Sequence, residues 1–222
     1  MKTVSLLSKM ELVGVGVSTE KLQELATLTR TQCFQIEKRA HQLAGRNFSL
    51  SSTKDIASIL GMNRGIKRSS TNKKALEQHS EDPVANLIIE WRKLNCMLTK
   101  MIYPLLRIVE NGRIHGRCIT HNVTGRISMH EPNLQNVARD FDVHDAVTNE
   151  HVVMSCRNAF VTLENYSLIS ADYRQLELRL LAHLSGDKLL RETFQLNRGD
   201  VFKTIAAKLN GVTDLKVIVS NY

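Results

Sequence analysis

Ser167-Leu168-Ile169-Ser170-Ala171-Asp172-Tyr173-Arg174-Gln175-Leu176-Glu177-Leu178-Arg179-Leu180-Leu181-Ala182-His183-Leu184 changes its hydrophobic period once along its length. Ser167 to Ala171 reads as a short strand, whereas Leu176, Leu180, Leu181 and Leu184 fall on one face of a helix. Asp172 therefore stands where a strand hands over to a helix. By itself such an Asp is an ordinary helix cap, and its neighbours decide whether it is more.

Upstream the pattern is helical. Leu6, Leu7 and Met10 share a face in residues 3–12 before Gly14 and Gly16 break the period. Ser18 or Thr19 caps a long helix carrying Leu22, Leu25, Ile36, Ala40 and Leu43 that closes at Gly45. Ser52 with Asp55 forms a capping-box pattern ahead of a short helix that Gly61 ends. Asp82-Pro83 starts a second long helix, with Leu87, Trp91, Leu94, Leu98, Ile102 and Leu105 as its apolar stripe, and the two long helices are expected to pair antiparallel. Between them, residues 61–82 hold Arg64, Lys67, Arg68, Lys73 and Lys74 among Ser, Thr, Asn and Gly, which predicts a mobile basic loop with at most a short helix near Ala75.

From Asn111 the pattern turns β-rich, with strand candidates at Arg113–Thr120, Asn158–Thr162 and Ser167–Ala171. Asp187 and Asp200 read as caps of two further helices, the second carrying Val201, Ile205 and Leu209 and closing at Asn210-Gly211. The expected fold class is α+β.

With 222 residues and 42% apolar content the chain is long enough for one large domain or two small ones. Thirty Lys and Arg against 22 Asp and Glu give a net charge of +8, which favours polyanionic partners because neutralised phosphates release condensed counterions. Cys33, Cys96, Cys118 and Cys156 show neither the spacing of a zinc site nor that of a disulfide framework, so reduced thiols are expected. Residues 1–17 match neither a signal peptide nor a membrane span, which predicts a soluble intracellular protein with no membrane partner.

Three blocks in order give these features a common meaning. Thr124-Gly125-Arg126, Glu131-Pro132-Asn133-Leu134-Gln135-Asn136-Val137 and the Asp172 to Asp187 stretch together resemble the conserved blocks of family A DNA polymerases, the last being motif A. The theta-like branch is the nearest resemblance, through Phe202 in Asp200-Val201-Phe202-Lys203, Leu87 to Arg92, and Ala138-Arg139-Asp140-Phe141.

The resemblance implies a helical thumb over residues 1–108 and a partial palm over residues 109–222, with fingers and the second and third catalytic blocks absent from the sequence. It implies a DNA-directed DNA polymerase acting in nuclear repair synthesis on primer–template DNA and deoxynucleoside triphosphates. Asp172 would be the catalytic carboxylate and, with the Tyr173 carbonyl, a ligand of Mg²⁺. Paired hard cations need hard oxygen ligands to stabilise both attacking and leaving oxygens.

Glu177 and Gln175 would border the nucleotide, Glu177 beneath its sugar; an exposed helix Glu is the plain alternative. Arg126, Asn133, Gln135 and Asn136 would face the minor groove, whose acceptors sit at nearly constant positions whatever the sequence. Arg64, Lys67 and Arg68 would touch the duplex backbone if they are not simply solvated. Arg174 departs from the Ser usual at its place. Because one carboxylate cannot hold two ions against their repulsion, the chain by itself is expected not to polymerise; the alternative is a non-catalytic fragment that grips primer–template DNA.

Overall fold

The computed structural model describes residues 2–62, 70–144, 151–195 and 201–202. They fall into two compact units, residues 1–168 and residues 169–222. The first mixes long helices with short antiparallel ladders, as an α+β reading requires.

Helix α1 (Lys2–Val13) precedes strand β1 (Val15–Gly16), and helix α2 (Thr19–Ala44) follows. The Ser18 hydroxyl, not Thr19, caps α2 by accepting from Lys21 N, and Gly45 closes it at φ 67°. Ser52 caps α3 (Thr53–Ile59) through Asp55 N, while the Asp55 carboxylate returns to Ser49 N at 3.2 Å instead of to Ser52 N.

Helix α4 (Lys73–Glu77) occupies the expected place near Ala75. The segment nevertheless buries some surface despite its polar composition, Leu76 completely and Thr71 nearly so. One well-placed Leu is enough to anchor a polar segment, since its burial offsets part of the ordering cost. Arg64, Lys67 and Arg68 lie outside the described residues.

Asp82 accepts from Val84 N and Pro83 takes the first turn of α5 (Pro83–Met97). A π turn at Leu98–Ile102 carries α5 into α6 (Tyr103–Ile108). Pro104 explains it: proline has no N–H and its ring clashes with the carbonyl four residues earlier, so a wider turn keeps the helix continuous. The apolar stripe therefore runs unbroken onto α2.

The helices are antiparallel: Ala40 packs with Val84 and Ile88 at one end, and Arg30 donates to the Tyr103 hydroxyl at 2.8 Å toward the other. The main core joins Leu22, Leu25 and Ile36 to Leu94, Ile102 and Leu105, and then to Ile114, Val143 and Met154 from the β-rich part. Of the face predicted for α1, Leu7 is buried, while Leu6 and Met10 are exposed.

The predicted strand Arg113–Thr120 is split in two. Strand β2 (Arg113–Ile114) pairs with β1, and β3 (Arg117–Ile119) pairs antiparallel with β4 (Ser128–His130). Strand β5 (Phe141–His144) pairs with β6 (His151–Met154), Phe141 opposite Met154.

Two strand expectations are corrected. Asn158–Thr162 begins instead in a 3₁₀ turn at Arg157–Ala159, and Phe160 then makes an isolated bridge with Val17. Ser167–Ala171 is irregular and exposed throughout, Ile169 by 89%. A strand needs a neighbour to accept and donate its backbone bonds, and no ladder partner faces this segment among the described residues.

The second unit holds α7 (Leu176–Ser185) and α8 (Lys188–Gln195). Asp187 caps α8 as expected, its carboxylate accepting from Leu190 N at 2.7 Å. Val201 and Phe202 are helical, but Ile205, Leu209 and the Asn210-Gly211 end lie outside the described residues.

Candidate functional site

The hairpin β3–β4 and the turn after it bring four of the predicted residues into one region of the first unit. The loop joining β3 to β4 carries Thr124-Gly125-Arg126, with Gly125 at φ 72°, a conformation that favours glycine. Gly125 N donates to the Asn122 carbonyl at 2.9 Å, closing a turn, and Arg126 is exposed beside it.

Asn133 caps a 3₁₀ turn at Leu134–Asn136, its side-chain oxygen accepting from Gln135 N at 3.1 Å. The Gln135 amide reaches back to the hairpin: Oε1 accepts from Met129 N and Nε2 donates to the Ile127 carbonyl, both at 3.0 Å. An amide has two donors and two acceptor positions, so each half of Gln135 retains one. Asn133, Gln135 and Asn136 are all exposed.

This turn forms one wall of a groove of about 700 Å³ whose opposite wall is the α5–α6 helix. Asn133, Asn136 and Phe141 line one side, and Lys93, Lys100 and Met97 the other. Lys93 lies over the Phe141 ring at 3.8 Å from its centre, a cation–π contact that holds the basic head at the groove. Sequence reasoning passed over Lys93 and Lys100. The signal was their seven-residue separation, which puts both on one helical face.

The second unit places the motif A residues. Asp172 and Tyr173 lie in irregular, exposed chain ahead of α7, so Asp172 is not at a strand end as expected. Gln175 is the cap residue of α7 at φ 55°, the left-handed region, and redirects the chain into the helix. Arg179 secures this entry, Nε donating to the Arg174 carbonyl at 2.8 Å while its guanidinium stacks on Phe194 at 4.6 Å. Glu177 is exposed on the first turn of α7. The apolar face of that helix is exposed as well, Leu184 by 81%.

The Asp172 carboxylate and Tyr173 carbonyl are hard oxygen donors of the kind Mg²⁺ takes, but two donors fall short of an octahedral set. No group of three or more His, Cys, Asp or Glu side chains comes together among the described residues. The described residues therefore do not by themselves fit a two-ion centre. No helix among them is long and apolar enough to cross a membrane.

Comparisons with known proteins identify the family. The family model described as DNA polymerase family A matches residues 19–220. The chain is 39% identical over 212 residues to DNA polymerase theta of Drosophila melanogaster, an alignment that covers 95% of this chain and 10% of the fly protein. It is 30% identical to DNA polymerase theta of Mus musculus, over 91% of this chain and 11% of the mouse protein. Among solved structures, the POL domain of Pol1 from M. smegmatis, in complex with DNA primer-template and dNTP, superposes with a TM-score of 0.69 at 26% identity, over 90% of this chain and 36% of that one. The chain thus spans about a tenth of the theta polymerases it matches. With the family model matching nearly its whole length, and theta polymerases among its relatives, the chain belongs to DNA polymerase family A.

Proposed function

We propose that this chain holds primer–template DNA for DNA-directed DNA synthesis and contributes one of the metal-binding carboxylates of that reaction. The observation that carries the reading is the groove between α5–α6 and the Asn133–Asn136 turn, where side-chain amides face a wall bearing Lys93 and Lys100. Amides read minor-groove acceptors without regard to sequence, and lysines neutralise phosphate, a pairing that suits a duplex held irrespective of its bases.

On this reading Arg126, Asn133, Gln135 and Asn136 contact the duplex, and Arg64, Lys67 and Arg68 add backbone contacts. Residues 1–108 correspond to a thumb and residues 109–222 to part of a palm. Asp172 and the Tyr173 carbonyl serve as Mg²⁺ ligands, with Gln175 and Glu177 toward a deoxynucleoside triphosphate. In the reaction the primer 3′ oxygen bonds to the α-phosphorus and pyrophosphate leaves. The theta relatives support repair synthesis in the nucleus as the setting.

A second reading is that of a DNA-binding fragment without chemistry, favoured by the incomplete donor set around Asp172. For the isolated chain we infer binding without extension. Mg²⁺-dependent extension of a labelled primer, run beside Asp172→Ala with gel-shift binding read from the same samples, tests this. Binding with no extension in either protein supports the inference. Extension that disappears in Asp172→Ala overturns it, and absence of binding overturns the reading as a whole.

A further inference from the structure

The loop that carries Arg126 has no apolar anchor. Val123, at its tip, is fully exposed, and Ile127 is 39% exposed. Burial does not hold this turn, so its conformation depends on polar contacts that must offset the cost of ordering it. Asn122 supplies them from inside the loop. Its Nδ2 donates to the Arg126 carbonyl at 2.6 Å and to the Ser128 hydroxyl at 3.0 Å, while its backbone carbonyl accepts from Gly125 N at 2.9 Å.

Asn122 is half-buried, whereas His121 and residues 123–127 around it are exposed. Its two side-chain bonds span the turn from its first residue to the start of β4 and leave Thr124-Gly125-Arg126 projecting. Gln135 clamps the same β4 end from outside through Ile127 and Met129. A short amide bonded to the carbonyl of the very residue that is to be presented restrains that residue's backbone, and with it the direction in which its Cα–Cβ bond leaves the turn.

We propose that Asn122 is a positioning residue: it sets the turn that presents Arg126 to DNA and does so without touching DNA itself. This rests on the reading of Arg126 as a duplex contact. Alanine at residue 122 leaves in place the backbone carbonyl that accepts from Gly125 N but removes the two side-chain bonds that hold the turn closed around it, so the Gly125 bond opens more often.

The test is a double-mutant cycle on primer–template affinity, using the full chain as wild type, Asn122→Ala, Arg126→Ala and the double variant. Each single variant is expected to weaken binding roughly three- to tenfold, and the double variant to be no weaker than Arg126→Ala. Equal losses from Asn122→Ala with and without Arg126, or no loss, would overturn the proposal. Arg126→Ala binding like wild type would instead remove the DNA reading on which it rests. Hydrogen exchange at the Gly125 amide separates the two without DNA: it should quicken in Asn122→Ala and stay unchanged in Arg126→Ala. Unchanged exchange in Asn122→Ala defeats the proposal whatever Arg126 does.

Discussion

Gln135 and Met129 are joined across the hairpin: the Gln135 side-chain oxygen accepts from Met129 N at 3.0 Å while its nitrogen donates to the carbonyl two residues earlier. The residue thereby copies a strand's pairing pattern at the edge of β4. Gln135→Ala should cost about 1 kcal/mol in urea unfolding, the net value of exposed hydrogen bonds, and loosen the Arg126 loop in hydrogen exchange. A fully stable Gln135→Ala protein with an unchanged loop would contradict the clamp.

Arg92 and Thr71 make the corresponding tie in the helical part. Arg92 Nη1 donates to the Thr71 carbonyl and Nη2 to its hydroxyl at 3.2 Å, and burial lowers the guanidinium's pKa. Arg92→Lys loses the fork geometry and Arg92→Ala leaves buried Thr71 without its partner, so losses of about 1 to 3 kcal/mol are expected. Trypsin should then cut sooner at Lys73 and Lys74, which limited proteolysis reads directly.

The four thiols should separate by reactivity. Cys96 is exposed, whereas burial, aided by Glu37, pushes the Cys33 pKa to about 11. Burial likewise takes Cys156 to about 11, with Asp140 adding to it. Alkylation of the native protein at mild pH should label Cys96 first, checked by peptide mass mapping.

The same two thiols give a pH dependence of stability. Their folded values lie above the ordinary 9.0, so between about pH 9 and 11 the folded state binds more protons than the unfolded one. Stability is therefore unaffected by them below pH 9 and falls as pH rises through that window. Urea midpoints across it should decline, and the decline should shrink in Cys33→Ala and Cys156→Ala proteins.

Gly16 admits no side chain, because a Cβ there would lie 2.4 Å from the Val161 carbonyl oxygen. The same close approach lets Val161 N donate to the Gly16 carbonyl at 3.0 Å, stitching residues 14–18 to the chain after the 3₁₀ turn. Gly16→Ala should destabilise by roughly 1 to 3 kcal/mol, measured by thermal unfolding.

The helices were legible because their signals are local. Ser18, Ser52, Asp82 and Asp187 all cap where a side chain and a nearby N–H decide the matter within one turn. Strands were less legible because pairing is a relation to another segment: Ser167–Ala171 has the composition of a strand and no partner among the described residues, while Phe160 keeps a single bridge. Gly14 and Gly16 read as mere breakers, yet Gly16 marks a close approach of backbone that no pattern in its own segment reveals. At the candidate site, motif order singled out Arg126 and Asn133 to Asn136 as expected duplex contacts; the spacing of Lys93 and Lys100 put them on one helical face, but only the fold sets that face across the groove from Asn133 and Asn136 and brings Asn122 to the Arg126 carbonyl.

The central claim, that the Arg126 and Asn133–Asn136 face holds duplex DNA, is tested most directly by the salt dependence of primer–template binding. Titrations of labelled duplex would compare wild type, Lys93→Ala/Lys100→Ala and Asn133→Ala/Asn136→Ala proteins. The account predicts weaker binding in both variants, with the slope of log affinity against log salt falling by about 1 to 2 in the lysine variant and staying unchanged in the asparagine variant. Wild-type affinity and slope in both variants would contradict it and place any DNA contact elsewhere on the chain.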